Sequence, residues 1–170
     1  MLAAGGYVGL TQIRAAEDRA DARAQTVESV KAAAEAKVFQ DKATALAGRL
    51  PHPTGFTPAK ATATNPCSPG LGGVAVCLDT TSSPRPALDA YLKAVGPLGL
   101  VVKTNDCNFA PSLSSRARAI FGNTPPCSAF GTLSGLNFTA TSFPKIDHAR
   151  STKGHVVFSG TRVSFGFFHV

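Results

Sequence analysis

The apolar residues of this chain change character near residue 50, and this change limits what the chain can fold into. Up to Leu50 they are mostly alanine, whereas from Val74 onward they are Val, Leu, Ile and Phe. Large apolar side chains build cores, so we expect one core of roughly 100 residues behind an alanine-rich helix. The sequence thus divides into four segments: 1–13, 14–50, 51–72 and 73–170.

Residues 14–50 predict a single long helix, because Ala, Glu, Lys, Arg and Gln dominate and proline is absent. Gly48 and Pro51 are typical stop signals. The larger apolar side chains form only a narrow stripe: Val27, Val30, Ala34 and Val38. A heptad register along this stripe places charged residues in the seam, which disfavours a stable coiled coil. We therefore expect a helical stalk that self-associates weakly, or whose end folds back onto the domain through Val38, Phe39 and Leu46.

The first 13 residues are apolar and uncharged between Leu2 and Ile13. A bilayer span needs about 20 residues, so this segment is too short to cross a membrane. No basic residue precedes it, so it is not a complete signal peptide either. We interpret it as the remnant of a signal anchor, with the first turns of the following helix as the alternative. The first interpretation predicts membrane attachment through the N-terminus.

Four cysteines lie in the second half of the chain: Cys67, Cys77, Cys107 and Cys127. None forms a C-x-x-C pair, so the usual zinc and thioredoxin-like spacings are absent. An even number in a small domain is typical of disulfides, which form in oxidising compartments. We expect the pairs Cys67–Cys77 and Cys107–Cys127, each closing a short loop. Four free thiols in a cytosolic protein are the alternative.

The segment 51–72 is rich in proline and predicts a linker. Beyond it, the apolar run Val74–Asp79 suits a buried strand. Ser83 and Pro84 are start signals for an amphipathic helix that Gly96 and Pro97 end. The run 98–103 predicts a strand and 113–121 a second helix. The expected fold is α+β, a mixed sheet in the order β-α-β-α-β-β with a parallel βαβ unit.

The last two strands are expected to form an antiparallel pair. Leu136, Phe138 and Ala140 alternate with polar residues, as in a half-buried strand. In the final segment, 155–170, the apolar alternation changes phase at Gly160. One extra residue there restores a single apolar face, so we predict a bulge or a bend at Gly160.

Catalytic, metal and cofactor chemistry find little support in the sequence. Gly70–Ala75 matches a loose dinucleotide fingerprint, but a proline-rich segment precedes it and a strand follows, which is the wrong context. The histidines lack metal-ligand spacing. No recognisable nucleophile motif or carboxylate pair is present. We therefore expect no cofactor and no metal, and we favour a protein that is not an enzyme.

The positive charge of the chain lies in its second part. Of a net charge of +7, residues 51–170 contribute ten bases against four acids. Such a field favours anionic partners, or serves solubility alone. The richest basic cluster lies between the last two strands, where we expect an anion-binding loop or an ordinary solvated one: Lys145, His148, Arg150, Lys153 and His155.

Together these features predict an exported, non-catalytic binding or assembly module of the cell envelope. Its partner would be another envelope protein or an anionic surface. Two alternatives remain: an envelope enzyme whose active site the sequence does not reveal, and a nucleic-acid-binding domain, which is less favoured. An open sheet edge or a flat patch would favour the binding module, and a cleft lined by polar groups would favour the enzyme.

Overall fold

The computed structural model describes residues 5–60, 67, 74–107, 124–152 and 155–168. The chain divides into two compact units, Met1–Phe39 and Gln40–Val170.

Helix α1, Gly5–Ala47, is 43 residues long. It includes most of the segment that we interpreted as an anchor remnant, and it continues without a break into the stalk. From residue 19 to residue 38 every side chain is exposed, including Val27 and Val30 of the apolar stripe. Among the helices that the structure describes, none has a stretch long and apolar enough to cross a membrane.

The end of α1 belongs to the second unit, and there its side chains become buried. Ala43 and Leu46 are buried, as is Leu50 just beyond the helix. Arg49 and Leu50 close the last turn with backbone hydrogen bonds to Leu46 and Ala47. Of the three residues expected to fold back onto the domain, Phe39 and Leu46 are buried, whereas Val38 is exposed.

The second unit is built on a six-stranded sheet. Its strands are β1 (Thr57–Pro58), β2 (Val74–Thr80), β3 (Leu100–Asp106), β4 (Cys127–Leu133), β5 (Leu136–Ile146) and β6 (Phe158–Phe168). Their order across the sheet is β1-β2-β6-β5-β4-β3. With helix α2, Pro84–Val95, between β2 and β3, the predicted α+β class is confirmed.

The pairing of the strands differs from the predicted mixed sheet. All five neighbouring pairs in the described sheet are antiparallel. Strands β2 and β3 do run in the same direction, as a βαβ connection requires, but β6, β5 and β4 lie between them. The sequence did not predict β1 or β4 as strands, and the predicted helix 113–121 lies outside the described residues.

Helix α2 has the predicted bounds. Ser83 precedes it in an extended conformation, and Pro84 occupies the first helical position, where its missing N–H leaves no hydrogen bond unmade. One face is buried against the sheet: Ala87, Leu88, Tyr91, Leu92 and Val95. A short 3₁₀ turn, Gly96–Leu98, then leads into β3 through Gly99, whose φ of 84° is in the left-handed region.

Aromatic rings form the centre of the core between α2 and the sheet. The ring of Phe165 stacks on that of Phe138 at a centroid distance of 4.8 Å and meets the edges of Phe167 and Tyr91. Because side chains alternate along a strand, Val163, Phe165 and Phe167 of β6 share the face that α2 covers. Arg162 and Ser164 therefore point to the opposite face, here called the polar face.

The predicted bulge in β6 is confirmed. Lys145 pairs with Gly160, but the next residue, Ile146, pairs with Phe158, so Ser159 is the additional residue. Gly160 has a φ of 136°, and a Cβ there would collide with the carbonyl oxygen of Thr80. Glycine is needed for both reasons, and the bulge places Phe158 on the same face as Val163, Phe165 and Phe167.

Candidate binding surfaces

An ion cluster on the polar face joins three neighbouring strands. Asp79 of β2 is directly opposite Arg162 of β6, which in turn is opposite Phe143 of β5. Lys145 lies two residues beyond Phe143 and so shares this face. The Arg162 Nε lies 2.9 Å from Asp79 Oδ1, and the Lys145 Nζ lies 2.6 Å from Asp79 Oδ2. One carboxylate thus holds two bases.

The environment of this cluster keeps the carboxyl of Asp79 ionised. Burial raises its pKa, but the hydrogen bonds and charges of Arg162 and Lys145 outweigh burial and hold the pKa below its usual range. The side chain of Arg162 is only 9% exposed, and those of Asp79 and Lys145 are 20% and 26% exposed. The cluster therefore has the geometry of a structural ion cluster, which stabilises the pairing of β2, β6 and β5.

The loop between β5 and β6 places the predicted anion-binding residues in different situations. Lys145 is held by Asp79 as described. Arg150 donates to Asp147 at 2.5 Å, and this hydrogen bond is the main cause that lowers the pKa of Asp147. His148 and His155 are exposed, and Lys153 lies outside the described residues. Two of the four described candidates therefore already have a carboxylate partner.

The backbone of this loop is ordered by Asp147 and Ser151. The Asp147 Oδ1 accepts hydrogen bonds from the N–H groups of Ala149 and Arg150, both at 3.1 Å. The hydroxyl of Ser151 donates to the carbonyl of Asp147, and it accepts from the N–H of Val157. Asp147, next to His148 in sequence, thus orders the loop and pairs with Arg150.

Both expected disulfides are present, and they lie on opposite faces of the sheet. Cys77 is opposite Ser164 and lies on the polar face, where its bond to Cys67 is formed. Cys127 is opposite Ser142, on the face that α2 covers, and is bonded to Cys107. Disulfides of this kind are consistent with an extracytoplasmic location.

The surroundings of the two disulfides differ in charge. The Cys77 Sγ lies 3.3 Å from the hydroxyl oxygen of Ser164, a neutral group. The Cys107 Sγ lies 3.7 Å from Nη1 of Arg85, in the first turn of α2. Sequence reasoning missed this contact, because Arg85 and Cys107 are 22 residues apart. The available signal was the arginine next to Pro84, at the start of the predicted helix.

Strand β3 forms one edge of the sheet. It pairs with β4 on one side, and no described residue pairs with its other side. Val101 and Val102 are 58% and 40% exposed, and Phe130 on the neighbouring β4 is 44% exposed. The register shifts between Val102 and Thr104, so Lys103 lies in a bulge. This exposed edge, 100–106 together with Phe130, is called the β3 edge below.

Comparison with known proteins assigns no family. No family model, curated protein or solved structure matches this chain. Within the described residues, no group of three or more His, Cys, Asp or Glu side chains could hold a metal ion.

Proposed function

We propose that this chain is an exported, non-catalytic binding module of the cell envelope. The β3 edge carries this proposal, because no described strand pairs with its outer side and exposed apolar side chains lie beside it. Natural proteins rarely leave such an edge exposed, because an unprotected edge strand readily pairs with strands of other chains. The attachment of the module to a membrane through its N-terminal segment is part of the same proposal.

The recognition mode that fits this edge is the addition of a strand from a partner protein. Main-chain hydrogen bonds would supply affinity, and alternate side chains would supply specificity. Val101 and Phe130 both lie on the polar face. Each is one residue away in sequence from residues on the α2 side, and side chains alternate along a strand. A partner strand with an apolar side chain on that face would cover both of them.

The charge of Lys103 distinguishes a different protein from a second copy. If two copies paired antiparallel over the whole of Leu100–Asp106, the central residue, Lys103, would face its own counterpart. Like charges directly opposite each other are destabilising. A segment with Asp or Glu at that position would instead be attracted. The proposed partner is therefore an extended segment of another envelope protein, apolar at alternate positions and acidic near Lys103.

An anionic surface is the second candidate, because the bases of the domain outnumber its acids. Asp79, Asp89 and Asp147 are each paired with a base of the chain. Lys60, Lys93 and Lys103 are exposed, and among the described residues none of them has a carboxylate partner. This second candidate predicts that the affinity for an anionic surface depends on the number of bases and falls steeply as the salt concentration rises.

Selection of displayed extended peptides against the oxidised full-length chain tests the proposal. We expect selected peptides to carry alternate apolar residues and an acid, and to shift the backbone amide resonances of β3. Lys103→Glu should weaken binding about tenfold, whereas Lys93→Glu, an equal change of charge on α2, should leave it nearly unchanged. Equal losses in both variants would support the anionic-surface candidate. Failure to select any binder to β3 would overturn the proposal.

A further inference from the structure

We propose that the Cys107–Cys127 pair is a thiol–disulfide exchange site that reacts with a pair of cysteine thiols on another protein. Cys107 is the sulfur that forms the mixed disulfide, and Arg85 stabilises its thiolate. The Cys67–Cys77 bond remains a structural disulfide. The exchange is a stoichiometric reaction of the chain's own disulfide, not catalytic turnover, and it is independent of binding at the β3 edge.

The surroundings of Cys107 suit an attacking and leaving sulfur. Cys107 is partly exposed, directly after β3. The guanidinium of Arg85 points an N–H at its Sγ across 3.7 Å. A cation at this distance favours a thiolate over a thiol, which is the feature that reactive cysteines share. Asp89 binds the same guanidinium at 2.8 Å and so moderates its effect.

The surroundings of Cys127 suit a buried resolving thiol. Cys127 is 1% exposed, so an incoming thiolate reaches Cys107 more easily. The carbonyl oxygen of Pro125 lies 3.9 Å from the Cys127 Sγ. After reduction this oxygen can accept a hydrogen bond from the thiol, which favours the neutral form. The two sulfurs of one disulfide therefore have different environments, one cationic and partly exposed, the other buried beside an acceptor.

The exchange proceeds in two steps that balance. A thiolate of the partner attacks the Cys107 Sγ, forming a mixed disulfide; the bond to Cys127 breaks, and Cys127 leaves with the electron pair and takes a proton. The thiolate of the partner's second cysteine then attacks the sulfur of the partner's first cysteine, which is the one bonded to Cys107 in the mixed disulfide. Cys107 leaves as a thiolate beside Arg85. The partner's dithiol is oxidised to a disulfide, and Cys107–Cys127 is reduced to a dithiol.

The other disulfide also joins a partly exposed cysteine, Cys67, to a buried one, but it differs in the charge of its surroundings. Cys77 is 5% exposed, and its sulfur is next to the neutral hydroxyl of Ser164. No described basic side chain is in contact with the sulfurs of the Cys67–Cys77 pair. It provides an internal reference in the same molecule.

Equilibration of the full-length oxidised chain in glutathione buffers of graded ratio tests the proposal, with alkylation and peptide mass mapping as the readout. Cys107–Cys127 should be reduced at a less reducing ratio than Cys67–Cys77. Arg85→Gln should shift its equilibrium constant about five- to tenfold towards the disulfide, and Arg85→Lys should restore most of the difference. Lys93→Gln removes an equal charge elsewhere on α2 and should change nothing.

Two further variants separate electrostatic from merely structural effects. Asp89→Asn frees Arg85 from its carboxylate and should shift the equilibrium in the opposite direction, towards the dithiol. Cys127→Ser should trap glutathione on Cys107. Earlier reduction of Cys67–Cys77, or identical equilibria for Arg85→Gln and Lys93→Gln, would overturn the proposal.

Discussion

The carboxylate of Asp79 lies within 2.9 Å of the Arg162 Nε on the adjacent strand, in the middle of the polar face. The Arg162 side chain is 9% exposed there, so little water remains to solvate its charge. Removing the carboxylate that pairs with a buried guanidinium destabilises a protein, because the positive charge loses the compensation that this carboxylate supplied. The relationship therefore explains how a sheet rich in Ser and Thr on one face holds its central strands together.

Asp79→Asn should lower the free energy of unfolding by about 2 kcal/mol, less than for a fully buried pair because Asp79 and Lys145 are partly exposed. Urea unfolding measures the difference. The matched control is Asp89→Asn, since the Arg85–Asp89 pair is about half exposed, and it should cost no more than about 0.5 kcal/mol. Equal effects in the two variants would contradict the role given to Asp79.

Acid should destabilise the protein through Asp79. Its pKa is lowered in the folded state, so its stabilising contribution is present above the unfolded pKa of about 4 and is lost as the pH falls through the folded pKa. The difference in unfolding free energy between the wild type and Asp79→Asn should therefore be constant near neutral pH and narrow below about pH 4. Urea unfolding at a series of pH values checks this. A difference that widens as the pH falls would refute it.

Tyr91→Phe should leave the stability unchanged or raise it. The Tyr91 hydroxyl is buried without a hydrogen-bond partner among the described residues, and burial raises its pKa. Its removal abolishes an unsatisfied polar group and keeps the ring on Phe165, so we expect a change of about 1 kcal/mol or less. Tyr91→Ala, which also removes the ring, should cost about 3–5 kcal/mol. A large loss in Tyr91→Phe would mean that the hydroxyl is bonded.

Gly160→Ala should destabilise the protein by about 2 kcal/mol or more, because φ is 136° and the new Cβ would meet the carbonyl of Thr80. Gly96→Ala is the control: Gly96 has helical angles and open space around it, so alanine should be neutral or slightly stabilising. Thermal unfolding of the two variants provides the comparison. A neutral Gly160→Ala would show that the bulge does not require glycine.

Local sequence patterns correctly predicted the elements whose conformation depends mainly on residues close by in sequence. Helix α2 follows from Pro84 at its start and from one apolar face, and the bulge follows from the phase change at Gly160. The weaker predictions concern partners far away in sequence. Strand β4 was missed because its apolar alternation is interrupted by small residues, among them Gly131, which lies close to the carbonyl of Val101 on β3.

The candidate surfaces show the same division. The sequence indicated that Lys145 and Arg150 are basic residues near one loop, but not that Asp79 and Asp147 hold their charges. The pairing of Asp79 with Lys145 spans 66 residues of sequence, and the register of β2 on β6 creates it. The exposed β3 edge also depends on strand order, which local periodicity does not contain.

The sequence by itself determined the α+β class, the bounds of α2, the two disulfide pairs and the bulge, because each depends on spacing, side-chain size or backbone freedom over a short stretch. The tertiary structure alone decided that β6 and β5 lie between β2 and the β4–β3 pair. It also decided that Arg85 meets Cys107 and that β3 stays at an edge. The physical reason is that strand order reflects which faces bury the most apolar surface together, and this is a property of the whole core.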